Sequence, residues 1–317
     1  MPDLTCSFLH LKLLNPLVLA SGILGTSSAL MLRCAQNGAG AITSKSCGPE
    51  PREGHANPVA VDWGYGVINA IGLTNPGADE EVFLLRQTKT LLAPSGIPLI
   101  ASIFAPSVAQ FGEVASIISQ AEPDLIEVNI SCPNVADEYG TPFAGSPETA
   151  AAVTEAVKRA TNIPISVKLA PNVPNIARIA LAVVAAGADA ITAINTMPGM
   201  LIDAHAGQPV LSNRVGGLSG PAIKPIALRC VAEIASSVDV PIIGTGGVNS
   251  GLDAAEMIMA GATAVGVGTA VWYHGVAAFM QIKQELEAFM TEAGYADLPA
   301  MRGAALRSAR FATRGSL

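Results

Sequence analysis

Eight short apolar runs recur along the chain, and segments of helical periodicity lie between them. The runs are PLVLAS (16–21), GAITSK (40–45), PLIASIF (98–104), LIEVNI (125–130), PISVKLA (164–170), DAITAIN (189–195), PIIGTGG (241–247) and AVGVGTA (264–270). Each is four to seven residues of near-continuous, β-branched sequence, the pattern of strands buried on both faces of a parallel sheet. Helical patterns fall between them, as in PETAAAVTEAVKRAT (147–161), AIKPIALRCVAEIASSV (222–238) and LDAAEMIMAGA (252–262). In the last of these, Ser250 and Asp253 have capping-box spacing and Gly261 stands where a helix stop belongs. Eight such alternations predict a parallel α/β architecture. Because eight units fill the chain with little left over, a single closed (β/α)8 barrel over residues 1–317 is favoured over an open sheet. The two longer connections, 46–97 and 196–222, are expected to be elaborated loops over one barrel face.

Composition agrees with a buried core and narrows the partners. Half of the residues are hydrophobic, 14% are charged and only 4% are aromatic, which suits small-residue helices over buried strands. The net charge of -7, with no basic stripe, argues against a nucleic-acid partner. No run reaches the ~18–20 apolar residues of a membrane span, and the N-terminus lacks a signal-peptide pattern. A cytoplasmic location is expected. Five cysteines, at 6, 34, 47, 132 and 230, form no C-x-x-C pair, so no metal or iron–sulfur site is expected within the chain.

Polar residues gather at the ends of the runs: Ser21, Lys45, Asn129, Lys168, Asn195, Gly246 and Gly268. In a barrel, that is the active-site face. A charge at the end of an apolar strand is costly without a partner, so Lys45 and Lys168 suggest an anionic or electron-rich ligand. GTGGVNSG (244–251) and AVGVGTA (264–270) each run from strand through glycine toward helix, an arrangement that receives phosphate on backbone N–H groups. Asn249 takes the place of the third glycine of a dinucleotide fingerprint, so a mononucleotide-like phosphate is expected rather than NAD. EVNISCPN (127–134) places Asn129 and Asn134 around Cys132; asparagine amides both donate and accept, which suits a cyclic imide or pyrimidine ring. Pro133 restricts Cys132 to extended geometry, and a thiol beside a cation can act as a base. Asn69 and Asn75 fall in a glycine-rich stretch that could equally be only an ordered loop.

Taken in order, NPLVLASG, ITSK with PREG, NAIGLTNPG, EVNISCPN, VKLAPNV, INTMPGM, GGLSGPAIKP, GTGGV and GVGTA resemble the successive blocks of class 1 dihydroorotate dehydrogenases, over nearly the whole chain. The wording is most similar to the NAD-linked subclass, 1B. The resemblance implies an FMN cofactor, oxidation of dihydroorotate to orotate in pyrimidine biosynthesis, a homodimeric core, and a partner subunit carrying FAD and a [2Fe–2S] cluster. It also implies roles. Cys132 would be the base. Lys45, Asn69, Asn129, Asn134, Asn195 and Thr196 would hold the substrate. Ala20, Ser21, Gly22, Lys45, Ser46, Asn129, Lys168 and Ile194 would lie along the flavin ring, with Gly220, Gly246, Gly247, Gly268 and Thr269 at its phosphate. Ser102 stands where the subclass usually has asparagine, and 135–146 replaces the usual glycine-rich lid. Cys47 is unexpected near the site and reads as packing. Open alternatives are a uracil or thymine reductase, the fumarate-linked subclass 1A, and a catalytically silent scaffold.

Overall fold

The structure, a computed structural model, describes residues 1–131 and 143–307. The chain opens with an antiparallel hairpin, β1 (Cys6–Phe8) and β2 (Leu11–Leu13). The Cys6 thiol donates to the carbonyl of Thr263, at the start of the eighth barrel strand, so the hairpin sits at the N-terminal end of the barrel. The first two barrel strands follow, β3 (Leu17–Leu19) and β4 (Ala41–Thr43). Two short strands, β5 (Ala60–Asp62) and β6 (Val67–Asn69), interrupt the alternation. The barrel resumes with β7 (Leu99–Ile103), β8 (Leu125–Asn129), β9 (Ile165–Leu169) and β10 (Ala190–Ala193). A second interruption holds β11 (Met197–Gly199), β12 (Ile202–Asp203), β13 (Gln208–Pro209) and β14 (Gly216–Ser219). The last barrel strands are β15 (Ile242–Thr245) and β16 (Ala264–Val267).

Strands β3, β4, β7, β8, β9, β10, β15 and β16 pair in parallel in that order, and β16 closes onto β3. Every one of the eight predicted runs contains one of these strands. Helices lie between them, including Ser28–Gln36, Ala78–Leu92, Val108–Ser119 and Pro147–Ala160, then Ile176–Ala185, Lys224–Ala235 and Gly251–Met259. Several are started by side chains: Ser27, Ser107, Ser146, Asn175 and Ser250 each accept a backbone N–H from the first turn. A cap of this kind is worth about 1 kcal/mol. Asp253 completes the predicted box, accepting from Ser250 Oγ at 2.9 Å and from the Asn249 N–H at 3.0 Å. The helix ends at Met259, and Gly261 follows it with φ +114°. The segment predicted as helix from 222 to 238 begins instead with a 3-10 turn, Pro221–Ile223, and its α-helix is shorter.

The two long connections meet over the barrel. Strand β6, from the first, pairs antiparallel with β14, from the second, and β5 and β11 flank them in one four-stranded sheet. Apolar side chains of this cap, Ile68, Ala70 and Leu211, form a small core of their own. The principal core lies in and around the barrel wall.

Candidate functional site

The C-terminal ends of the barrel strands and the cap sheet enclose a cavity of about 340 Å³. That size lies within the usual range for small-ligand pockets. Ala20, Ser21 and Gly22 leave β3; Lys45 and Ser46 leave β4; Asn129 ends β8 and Lys168 lies near the end of β9. Ile194, Asn195 and Thr196 leave β10; Gly246 and Gly247 leave β15; Gly268 and Thr269 leave β16. Asn69 and Gly220 come from the cap sheet and its exit. All the predicted site residues that the structure describes therefore line one cavity. Cys132 and Asn134 lie outside the described residues, as does most of the 135–146 segment.

Backbone pairing explains how β10 delivers its polar end. Beyond the last ladder residue, the N–H of Ile194 donates to Thr245 O on one side and that of Asn195 to Leu169 O on the other. The Asn195 side chain is then fixed by its neighbours. Its Nδ2 lies 3.0 Å from Ser131 Oγ, 3.2 Å from Ser131 O and 3.3 Å from Asn129 Oδ1. Asn129 in turn donates from Nδ2 to Ser46 Oγ at 3.2 Å. Asn69 Nδ2 donates to Gly217 O at 3.3 Å across the cap sheet. These amides are pre-oriented before any ligand arrives. Asn75 is not part of the cavity wall. Its Oδ1 accepts from the N–H groups of Gly48 and Gly77, at 3.1 and 2.9 Å, and its Nδ2 donates to Leu73 O at 2.7 Å. It pins the loop.

On β15, the barrel neighbour of the strand that delivers Asn195, the wall turns to glycine. Gly246 and Gly247 adopt φ of +127° and +79°. A Cβ on Gly246 would meet the Ala227 Cβ at 2.7 Å, and one on Gly247 the Lys224 Cβ at 2.6 Å. Bare backbone is thus required at both positions. Lys224 lies against this segment, but its ammonium is held by Asp253 and Glu256, each at 2.6 Å. Among the described residues, Lys45 and Lys168 are the only cations in the cavity wall. An anion at the β15–β16 end would therefore be received by backbone N–H groups and the hydroxyls of Ser219 and Thr269, which are 2.9 Å apart. That donor set fits a phosphate monoester, while the two lysines and the amides fit a planar, electron-rich ring system such as a flavin with a pyrimidine beside it.

Two buried acids beside the site, Glu127 and Glu81, received no role from the sequence. Glu127, two residues before Asn129, accepts from Lys168 Nζ at 3.4 Å and from Ser102 Oγ at 3.0 Å. Ser102, where the subclass usually has asparagine, is fully buried and lies behind Ser46 at 2.8 Å rather than in the cavity wall. Glu81, on the helix Ala78–Leu92, is 1% exposed. Burial pushes its carboxyl up to about 7, although Lys45 and Ser44 pull the other way. Cys47 is wholly buried; burial and then the nearby Glu81 drive its thiol well above the usual range, consistent with packing rather than reactivity. The one signal for Glu127 in the sequence was an acid inside an apolar run. Trp272, also in the cavity wall, had none.

The family model of dihydroorotate dehydrogenase matches residues 3–290. Among curated relatives, the catalytic subunit of dihydroorotate dehydrogenase B (NAD(+)) of Methanosarcina mazei is 47% identical over 296 residues, covering 93% of each chain. The protein of the same description from Methanothermobacter thermautotrophicus is 44% identical, covering 95% of this chain and 98% of its own. That of Pyrococcus abyssi is 41% identical, covering 94% and 97%. Identity of this extent, over a barrel whose cavity gathers the family's motif residues, establishes that the chain belongs to the dihydroorotate dehydrogenase family.

Proposed function

We propose that the chain is the catalytic subunit of an NAD-linked dihydroorotate dehydrogenase, an FMN-binding barrel that oxidises dihydroorotate to orotate. The observation that carries this reading is the convergence of two lysines, three oriented asparagines and a glycine-lined anion cradle on one cavity. FMN, when bound, would supply the hydride acceptor for the substrate's C6. The protein's own residues do the rest. Gly220, Gly246, Gly247, Gly268 and Thr269 hold the phosphate, and Ala20, Ser21, Gly22, Ser46 and Ile194 bound the ring. Lys168 balances negative charge there. Lys45, Asn69, Asn129, Asn195 and Thr196 bind the dihydropyrimidine and its carboxylate, with Asn134 joining from beyond the described residues. The Cys132 thiolate takes the C5 proton. Alignment of both breaking bonds by fixed amides is an orientation effect that can supply up to roughly 7–11 kcal/mol.

The sequence holds no iron–sulfur spacing and no dinucleotide fingerprint, so a partner or a small soluble acceptor takes the electrons from FMN. The relatives' description as catalytic subunits of an NAD(+) enzyme supports a second subunit; in our proposal that subunit carries FAD and a [2Fe–2S] cluster and the core is a homodimer. No helix among the described residues is long and apolar enough to cross a membrane; the setting we propose is the cytoplasm.

Anaerobic spectroscopy tests the reading. Purified protein should be yellow and bleach with dihydroorotate, and NAD+ should restore the colour only with the partner subunit present. Bleaching by dihydrouracil alone would assign the site to a pyrimidine reductase, and reoxidation by fumarate would replace NAD+ as acceptor. A colourless protein that takes up no flavin would overturn the proposal.

A further inference from the structure

One layer beneath the cavity runs a chain of buried polar groups that ends on an acid. Glu127 and Asn129 are two residues apart on β8 and so share a face of the barrel wall. Glu127 is 3% exposed and Lys168, which borders the cavity, is 6% exposed, so their ion pair is almost wholly buried. From Glu127 the chain continues through Ser102 Oγ at 3.0 Å, Ser46 Oγ a further 2.8 Å on, and Ser21 Oγ 3.2 Å beyond that. A carboxylate can only accept. Ser102 must therefore give its proton to Glu127, which leaves its oxygen to accept from Ser46. Ser46, having given its proton to Ser102, accepts from the Asn129 amide at 3.2 Å and from Ser21. The acid thus fixes the direction of every donor up to the cavity wall. It also determines which way Asn129 presents its amide, with Oδ1 turned to Ser131 and Asn195.

We propose that Glu127 is a positioning residue. Through Lys168 and the Ser102–Ser46–Ser21 chain, it sets the charge and donor pattern at the flavin's edge and so holds the reduction potential of the bound cofactor down. The inference rests on the FMN reading above. Two-electron reduction adds negative charge to the ring system; an uncompensated Lys168 would favour it, and the carboxylate at 3.4 Å offsets that preference.

The test is the midpoint potential of FMN-loaded wild type, Glu127→Gln, Lys168→Gln and the double variant, measured near pH 7 by anaerobic titration against reference dyes. Glu127→Gln should raise the potential by at least tenfold in the reduction equilibrium, about 30 mV for a two-electron couple. The rise should be smaller in the Lys168→Gln background, where only the serine chain remains. Should Glu127→Gln fail to fold, Glu127→Asp keeps the charge but moves it one carbon back, and a smaller rise of the same sign is expected. An unchanged potential in flavin-loaded variants overturns the inference while leaving the FMN reading intact, and so does an equal rise with Lys168 absent. A wild-type protein that takes up no FMN sinks both.

Discussion

Gly246 and Gly247 show how little room the anion cradle leaves. Their positive φ values are ones that L side chains rarely adopt, and a Cβ on Gly247 would also lie 2.8 Å from the Lys224 backbone. Gly247→Ala should therefore cost about 1–3 kcal/mol in strain. Because the strain falls on the cofactor end of the cavity, FMN affinity should drop tenfold or more, read by fluorescence titration of the apoprotein. Unchanged affinity would move the phosphate elsewhere. Cys132→Ala should load FMN normally yet be reduced by dihydroorotate orders of magnitude more slowly in stopped flow. An unaltered rate near neutral pH removes the thiol from the chemistry. Residues such as these were legible in the sequence because glycine, asparagine and lysine stand out at the ends of apolar runs. Glu127 was not, since its meaning depends on Lys168, 41 residues away and on the next strand. A lone acid in LIEVNI gives no sign of the cation that makes its burial tolerable.

At the scale of elements, the barrel strands were readable and the cap sheet was not. Continuous apolar runs mark strands buried on both faces, and each of the eight took its place in chain order around the barrel. The cap strands are three or four residues long. Their order arises from pairing such as Leu218 with Ile68, contacts far apart in sequence that no local periodicity announces. What holds the first connection in shape is Asn75, whose carbonyl oxygen serves two backbone donors. Asn75→Ala would leave the Gly48 and Gly77 N–H groups without that acceptor and should cost about 1–3 kcal/mol, measured by urea denaturation. The loop also carries Lys45's neighbours and, beyond Asn75's anchor points, leads back from strand β6, where Asn69 faces Gly217 and Val67 faces Ser219 of the anion cradle. Because Asn75 holds the Gly48 and Gly77 N–H groups and not the β6–β14 ladder, the variant should raise KM for dihydroorotate several-fold and weaken FMN binding by a smaller factor. An equal loss of FMN and substrate binding would show that the connection supports the whole mouth.

For the molecule as a whole, the pH dependence that falls between acid and neutral pH is set by Glu81. It sits near the start of its helix, where the dipole favours an anion, yet it is buried, and its Oε1 finds no hydrogen-bond partner among the described residues. Burial is the first cause of its raised value and outweighs Lys45 and Ser44. A carboxyl raised from 4.5 to about 7 on folding keeps its proton in the folded protein over a range where the unfolded chain has already released it. Its contribution to stability is therefore full below about 4.5, declines as pH rises to about 7, and is flat above that. The size is about 3 kcal/mol at most, at 1.36 kcal/mol for each pH unit. Glu81→Gln removes this dependence without changing the side chain's shape. It should be more stable than wild type at pH 8 by about 1–3 kcal/mol, and the two should converge near pH 5. Urea midpoints of both proteins across that range decide the matter. Parallel curves would mean that Lys45 keeps the carboxylate ionised in the folded barrel, so that a buried ion pair, not a buried acid, lies under the β4 end of the site.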